Sequence, residues 1–167
     1  MSALISACGL YRWRLEREIA DSGIVIAYFG VNPSTAGPEI EDQTTMKWRG
    51  FSLVNGARRY IAGNPFAFRA TDVHALKGAA DPVGSENAKH LGDIIAEADL
   101  LVPCWGSRTK LPRTLHHHLD TLARRLRASG KPVRTFGLTK SGDPAHPLML
   151  GYATPLVEWT TLGEEVR

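Results

Sequence analysis

Residues that could carry out chemistry are concentrated in a polar segment that follows an apolar run. The apolar run, Ile24–Phe29, reads IVIAYF, and the segment after it reads GVNPSTAGPEIEDQTT. The candidate site residues of this segment are Asn32, Ser34, Thr35 and Asp42. In open α/β sheets, ligands bind in loops just beyond the carboxyl ends of the strands. The sequence therefore predicts a ligand-binding loop after a buried strand.

Three more polar segments follow predicted strands, and they read RATD, WGSRTK and GLTKSGDPAHP. In a parallel sheet the strand ends share one edge, so we expect the four segments to converge there. Together they offer a carboxylate, an amide, an imidazole, cations and an aromatic surface. The candidate residues are Asn32, Ser34, Thr35, Asp42, Arg69, Asp72, Trp105, Arg108, Lys140 and His146. Such a set suits a polar ligand, with or without a phosphate group.

The elements that must position these residues alternate along the chain. Apolar runs predict strands at Ile24–Phe29, 64–72, 100–105 and 133–138, whereas residues 10–18 suit either an edge strand or a helical turn. Helical spacing of apolar residues predicts helices over 46–61 with a stop at Gly63, over 88–98, and over 115–126. This order predicts one α/β domain over residues 1–167, a three-layer α/β/α sandwich with a central, mostly parallel four-stranded sheet.

Composition excludes several classes of protein. The chain has 167 residues, 43% of them hydrophobic and 22% charged, which is typical of one globular domain. A net charge of +3 tolerates a phosphate-bearing ligand without demanding one. Two cysteines, Cys8 and Cys104, are too few for a disulfide framework or an iron–sulfur cluster, and we expect reduced thiols. No apolar run could span a bilayer and no signal-peptide pattern is present, so we expect a cytoplasmic protein without membrane contact.

The run His116–His118 invites a metal-binding interpretation, which its spacing disfavours. Consecutive helical residues point about 100° apart, whereas helical metal ligands are spaced three or four residues apart. The sequence therefore predicts neither a metal site nor a cofactor.

Several motifs together resemble a known family. NPSTA after the first predicted strand, FAFRATD, DPVGSEN, WG and the closing GLTKSGDPAHPLML are similar to an uncharacterised bacterial and phage domain family of unknown function that carries the Asn-Pro-Ser-Thr-Ala signature. The resemblance runs from about Tyr11 to Trp159. It implies a family without implying an activity.

A more distant resemblance, to the uracil-DNA glycosylase superfamily, implies a chemistry. Gly30–Pro33 (GVNP) is similar to the loop that positions the hydrolytic water in that superfamily, and His146-Pro147-Leu148 is similar to the segment that contacts the base. The chain lacks the cluster-binding cysteines of some members and the usual Ser of the second segment. The resemblance implies a four-stranded parallel sheet between helices and N-glycosidic bond hydrolysis.

Several candidates also have purely structural interpretations. Asn32, Pro33 and Ser34 suit a turn. Asp42 suits the N-cap of the following helix as well as it suits catalysis. Arg69 could pair with Asp72 instead of binding a ligand, and an aromatic residue in the position of Trp105 is more often part of a core.

The resulting hypothesis is an enzyme that acts on a nucleobase or nucleotide. Asn32 or Asp42 would orient water, and His146 would stabilise charge on the departing base. The residues expected to bind substrate are Pro33, Ser34, Thr35, Phe66, Arg69, Trp105, Lys140 and Pro147, with Phe66 or Trp105 stacking on the base. The alternatives are a non-catalytic module that binds a nucleotide or nucleic acid, and a different transfer reaction on a nucleotide. Oligomeric state stays open.

Overall fold

The computed structural model describes residues 2–35 and 39–160. The strands are Ser2–Ile5 (β1), Arg12–Glu18 (β2), Ile24–Phe29 (β3), Ala57–Gly63 (β4), Leu100–Pro103 (β5), Arg134–Thr135 (β6) and Val157–Glu158 (β7). The α-helices are Gln43–Val54 (α1), Asn87–Glu97 (α2) and His116–Ala128 (α3). Short 3-10 helices cover Val73–Gly78, Arg108–Lys110, Arg113–Leu115 and Pro147–Met149. Ala36 of the NPSTA motif lies outside the described residues.

The α/β class is confirmed, and the sheet differs from the expected one. Within the described part of the chain, the main sheet has five strands in the order β1-β2-β4-β3-β5. Strands β4, β3 and β5 run parallel, whereas β1 and β2 add an antiparallel edge. The prediction of four mostly parallel strands is therefore replaced by a mixed sheet of five. A separate two-stranded ribbon pairs β6 with β7.

Helices pack on both faces of this sheet. Along β3, Ala27 and Phe29 join a core with the apolar side chains of α2 and α3, whereas Ile26 and Tyr28 join a core with Trp48 and Phe51 of α1. Alternate burial on two faces is what produces a continuous apolar run in a central strand. The sequence pattern of Ile24–Phe29 follows directly from this position.

The helix predicted over residues 46–61 ends early, and its second half is a strand. Asn55 closes α1 by donating from its side-chain amide to the carbonyl of Phe51 at 2.8 Å. Gly56 then adopts a φ of 70°, a left-handed conformation that glycine accommodates most easily. In β4, the consecutive residues Tyr60 and Ile61 enter opposite cores. The helical spacing of these apolar residues was coincidental, and tertiary burial decided the strand.

Two predicted strands are also corrected. Residues 64–72 form a loop that is mostly buried up to Ala70 and exposed at Thr71 and Asp72. Its backbone bonds to other loops, including donation from the amide of Ala70 to the carbonyl of Pro33 at 2.9 Å. The strand predicted over 133–138 shrinks to the two residues of β6, next to a single parallel bridge between Val133 and Leu101. Apolar composition correctly indicated the burial of Phe66 and Phe136, whereas Leu138 is 38% exposed and the segments form little regular pairing.

Candidate functional site

A cavity of about 770 Å³ opens at the carboxyl ends of the parallel strands. Pockets that bind small molecules typically enclose about 300–1,000 Å³. The walls come from residues directly after β3, β4 and β5, from the first turn of α1, from the loop after residue 69, and from the His146 segment. All four polar segments singled out in the sequence contribute residues to this cavity. A topology with three parallel strand ends side by side brings them together.

Asn32 lines the cavity with one half of its side-chain amide already in use. Its Nδ2 donates to the carbonyl of Ala70 at 2.9 Å and lies 3.2 Å from the carbonyl of Pro33. Since both contacts are acceptors, they fix which end of the amide is nitrogen. The Oδ1 of Asn32 is left as a hydrogen-bond acceptor for water or ligand.

The rest of the NPST loop is held by Arg69, which does not line the cavity. The guanidinium donates to the carbonyl of Thr35 at 2.7 Å and to that of Gly9 at 3.0 Å. Pro33 is buried and Thr35 shares a hydroxyl contact with Thr71, so neither reaches the cavity. Ser34 does line it. Pro33, Thr35 and Arg69 are therefore not among the residues that line this cavity, and their contacts shape the loop.

Asp42 lines the cavity and is the N-cap of α1. Its Oδ1 accepts from the amide of Thr45 at 2.8 Å, and the hydroxyl of Thr45 donates back to the carbonyl of Asp42 at 2.9 Å. An N-cap carboxylate satisfies one of the amides that a helix start leaves without an internal partner. The structural interpretation of Asp42 accounts for these contacts, and its second oxygen stays available.

His146 lines the same cavity, although it lies about one hundred residues after Asn32 and Asp42 in the sequence. Its Nδ1 accepts from the amide of Leu148 at 3.2 Å, which starts the short helix Pro147–Met149. The pKa of His146 is lowered mainly by burial and also by the positive charge of Lys110. The charge of Asp42 raises it. A neutral imidazole whose Nδ1 is an acceptor carries its proton on Nε2. His146 therefore presents a hydrogen-bond donor.

Gly106 allows this placement of His146. Its φ is 76°, and an added Cβ would lie 3.4 Å from the Cβ of His146. The amide of Gly106 donates to the carbonyl of Pro144 at 2.8 Å, which ties the end of β5 to the His146 segment. The WG motif thus keeps two walls of the cavity in contact.

The aromatic walls differ from those expected. Trp105 lines the cavity but is only 3% exposed and packs edge-on against Trp159. Phe66 is fully buried against His118 and does not line the cavity. Trp48 of α1 lines it instead, stacked on Tyr28 at 5.6 Å. Of the two stacking candidates, Trp105 lines the cavity and Phe66 does not.

Three further candidates lie outside the cavity. Lys140 is exposed, and Pro147 is buried in the turn after His146. The guanidinium of Arg108 pairs with Asp143 at 2.8 Å and with Asp120 at 3.0 Å, which anchors the loop after β5. Asp72 does line the cavity, at an exposed position paired with His74.

Cavity residues that sequence reasoning missed include Arg12, Asn64 and Lys110. Asn64 is 4% exposed, and its side-chain amide makes no hydrogen bond within the described part of the chain. An added Cβ at Gly30 would meet its Oδ1 at 3.0 Å, so glycine keeps the approach to this amide open. The signal for Asn64 was its place directly after β4, which was hidden because β4 was interpreted as part of a helix.

Cys104 is completely buried, and burial raises its pKa to about 12. Across residues 2–35 and 39–160, no group of three histidine, cysteine or acidic side chains lies close enough to hold a metal ion. No helix in the same residues is long and apolar enough to cross a membrane.

Comparison with known proteins gives a family. Residues 12–148 match the family described as "Protein of unknown function (DUF1643)", and the chain belongs to this family. No curated protein matches the chain, and no solved structure matches it.

Proposed function

We propose that the cavity binds a nucleobase-containing ligand and hydrolyses its N-glycosidic bond, in the manner of a uracil-DNA glycosylase-like pocket. The observation that carries the proposal is the hydrogen bond from the amide of Leu148 to Nδ1 of His146, which leaves Nε2–H of a neutral imidazole as the group that can donate. A preorganised donor of this kind stabilises negative charge that develops during a reaction.

The step breaks the bond between the anomeric carbon of the sugar and the base nitrogen. The bonding electron pair leaves with the base, and His146 donates a hydrogen bond to the base atom on which the negative charge accumulates. A water oxygen forms the new bond to the anomeric carbon, and the proton it loses balances the charge of the released base. The imidazole starts and ends neutral in this scheme.

Asn32 suits the task of orienting that water. Its Nδ2 is fixed by backbone carbonyls, so Oδ1 accepts from water in a set direction. The second oxygen of Asp42 is the other acceptor available for this role. Ser34, Trp48 and Trp105 also line the cavity, and the two indole side chains add apolar surface for the ligand.

A second candidate is a binding module without catalysis. It is favoured because both carboxylates that line the cavity in the described residues already have partners: Asp42 caps α1, and Asp72 pairs with His74. The same donor and acceptor groups would recognise a base edge by hydrogen bonds alone. The two candidates predict different effects of replacing His146: a loss of turnover for an enzyme and a loss of affinity for a binding module.

Affinity and turnover of His146 and Asn32 variants separate the candidates. For an enzyme, we expect His146→Ala and Asn32→Ala each to lower turnover by about 10²–10³-fold with a small change in affinity. For a binding module, His146→Ala should weaken affinity by about 1–3 kcal/mol. His146→Asn, whose shorter side chain can still accept from the amide of Leu148, tests whether a folding defect is responsible.

His117→Ala is the matched control because this imidazole is exposed and lies outside the cavity. Ligands are taken from a panel of nucleosides, nucleotides and deaminated oligonucleotides. If both His146 variants keep the affinity and turnover of the wild-type protein on a substrate that it cleaves, His146 has no part in the site.

A further inference from the structure

A buried arginine reaches the cavity because β2 contains a bulge. Leu4 of β1 pairs with Arg14, whereas the next residue, Ile5, pairs with Arg12, so Trp13 is the extra residue on β2. Bulges change the face to which a side chain points, and they are common beside functional sites. Arg14 pairs with Glu97 of α2 on one face of the sheet, and Arg12 lines the cavity on the side of α1.

Arg12 is buried without a countercharge in contact. Arg12 is 5% exposed. Its guanidinium forms no ion pair or hydrogen bond with any residue that the structure describes. Burial lowers the pKa of Arg12 to about 10, and Asp42 opposes this effect. The guanidinium is therefore still charged at neutral pH. A buried charge without a partner opposes folding, so a positive group held in this way indicates a function.

Other groups add positive potential around the same space. Gln43 and Thr44 occupy the first positions of α1 and line the cavity, and amides at such positions have no partner within the helix. A helix N-terminus favours anions. Lys110 lines the cavity from the loop after β5. The carboxylates that line the cavity are Asp42 and Asp72. Asp42 accepts from the amide of Thr45, and Asp72 pairs with His74.

We propose that Arg12 and the first turn of α1 form an anion subsite that holds the phosphate of a nucleoside monophosphate. The guanidinium matches phosphate with two parallel N–H donors. A group must enter the cavity to reach a residue that is 5% exposed. An internal phosphodiester of a duplex is held within the double helix and does not enter such a cavity. We therefore infer that the substrate is a free nucleotide or carries a terminal phosphate. The nucleoside part of this assignment rests on the proposed function, whereas the anion subsite does not.

Inorganic phosphate is the first probe. Thermal unfolding is followed in phosphate and in chloride at equal ionic strength, for the wild-type protein, Arg12→Met, Arg12→Gln and the control Arg49→Met. Arg49 is an exposed arginine of α1 that pairs with Glu41 outside the cavity. We expect phosphate at ten times its Kd to raise the Tm of the wild-type protein and Arg49→Met by about 3–6 °C. Both Arg12 variants should lose this response.

The same experiment distinguishes a ligand site from a structural role. Because the charge is buried without a partner, Arg12→Met should have a Tm in chloride equal to or above that of the wild-type protein. A lower Tm with an unchanged phosphate response, for both Arg12 variants, would overturn the subsite. An equal response to acetate would overturn its assignment to phosphate.

Mononucleotides then test the substrate class. We expect 5′-monophosphates to bind about 10- to 100-fold more tightly than the matching nucleosides, and this ratio to approach one in Arg12→Met. Equal binding of both in the wild-type protein, or binding of neither, would contradict the assignment. These measurements of Tm and affinity do not require the protein to cleave its ligand. Phosphate binding through Arg12 without release of a base would overturn only the proposed function, and release of a base that is indifferent to Arg12 would overturn only the subsite.

Discussion

At the scale of single residues, the charge state of His146 decides which chemistry the cavity offers. Burial and Lys110 lower the pKa of this imidazole, and Asp42 raises it. The unfolded value is about 6.5, so the folded protein binds fewer protons than the unfolded chain between the two values. The free energy of unfolding that His146 contributes is complete above about pH 6.5 and is lost as the pH falls through the folded value.

The tautomer of His146 is a direct prediction. We expect long-range ¹⁵N–¹H spectra to show a proton on Nε2 at pH 7 and a titration midpoint below 6.5, because Nδ1 accepts from the amide of Leu148. Comparison with His146→Asn assigns the resonance, and His117→Ala serves as the control. A proton on Nδ1, or a midpoint above 6.5, would remove the donor on which the proposed chemistry depends.

At the scale of elements, α1 combines a structural duty with a place in the site. Its N-cap, Asp42, lines the cavity, and so do residues of its first turn and Arg12. The loop before it is braced by Arg69 through the carbonyls of Gly9 and Thr35. The strand, loop and helix that run from β3 to α1 therefore set the positions of Asn32 and Asp42 together.

Two substitutions of Asp42 separate capping from catalysis. Asp42→Asn keeps an oxygen that can accept from the amide of Thr45, so we expect the free energy of unfolding to stay within a few tenths of 1 kcal/mol of the wild-type value. Asp42→Ala should lose about 0.5–2 kcal/mol because the cap is removed. Chemical denaturation gives both values.

Turnover of the same variants shows whether the carboxylate also acts on the substrate. If Asp42 is only a cap, Asp42→Asn should retain turnover. A loss of more than about tenfold in Asp42→Asn, with stability unchanged, would instead assign the water-orienting role to Asp42 and not to Asn32.

At the scale of the whole molecule, the sequence predicted the layers better than it predicted the order of the strands. β3 was recognised because both of its faces are buried, and α2 and α3 were recognised from one-sided apolar spacing. β4 was missed because its apolar residues also fit a helical period. The antiparallel edge was left open because residues 10–18 mix charged and aromatic side chains. In the structure these charges pair across the sheet surface, Arg14 with Glu97 and Glu16 with Arg59.

The candidate site was predictable where it follows a recognised strand and hidden elsewhere. Asn32, Asp42, Trp105 and His146 were accessible from loops rich in glycine, proline and polar residues. Arg12 was not, because its direction depends on a bulge that only the pairing of β1 with β2 defines. Arg69 was interpreted as a ligand-binding cation, and its partners include two backbone carbonyls that a sequence pattern does not reveal.

The central claim is that this cavity cleaves a nucleotide between sugar and base, and the products test it most directly. Mass spectrometry of reactions with nucleoside 5′-monophosphates, including deaminated and modified bases, should detect the free base and the sugar phosphate in equal amounts. We expect no release of inorganic phosphate, and a loss of product of about 10²–10³-fold in His146→Ala with none in His117→Ala. Tight binding of a nucleotide that is recovered intact after prolonged incubation, or release of phosphate in place of the base, would contradict the claim.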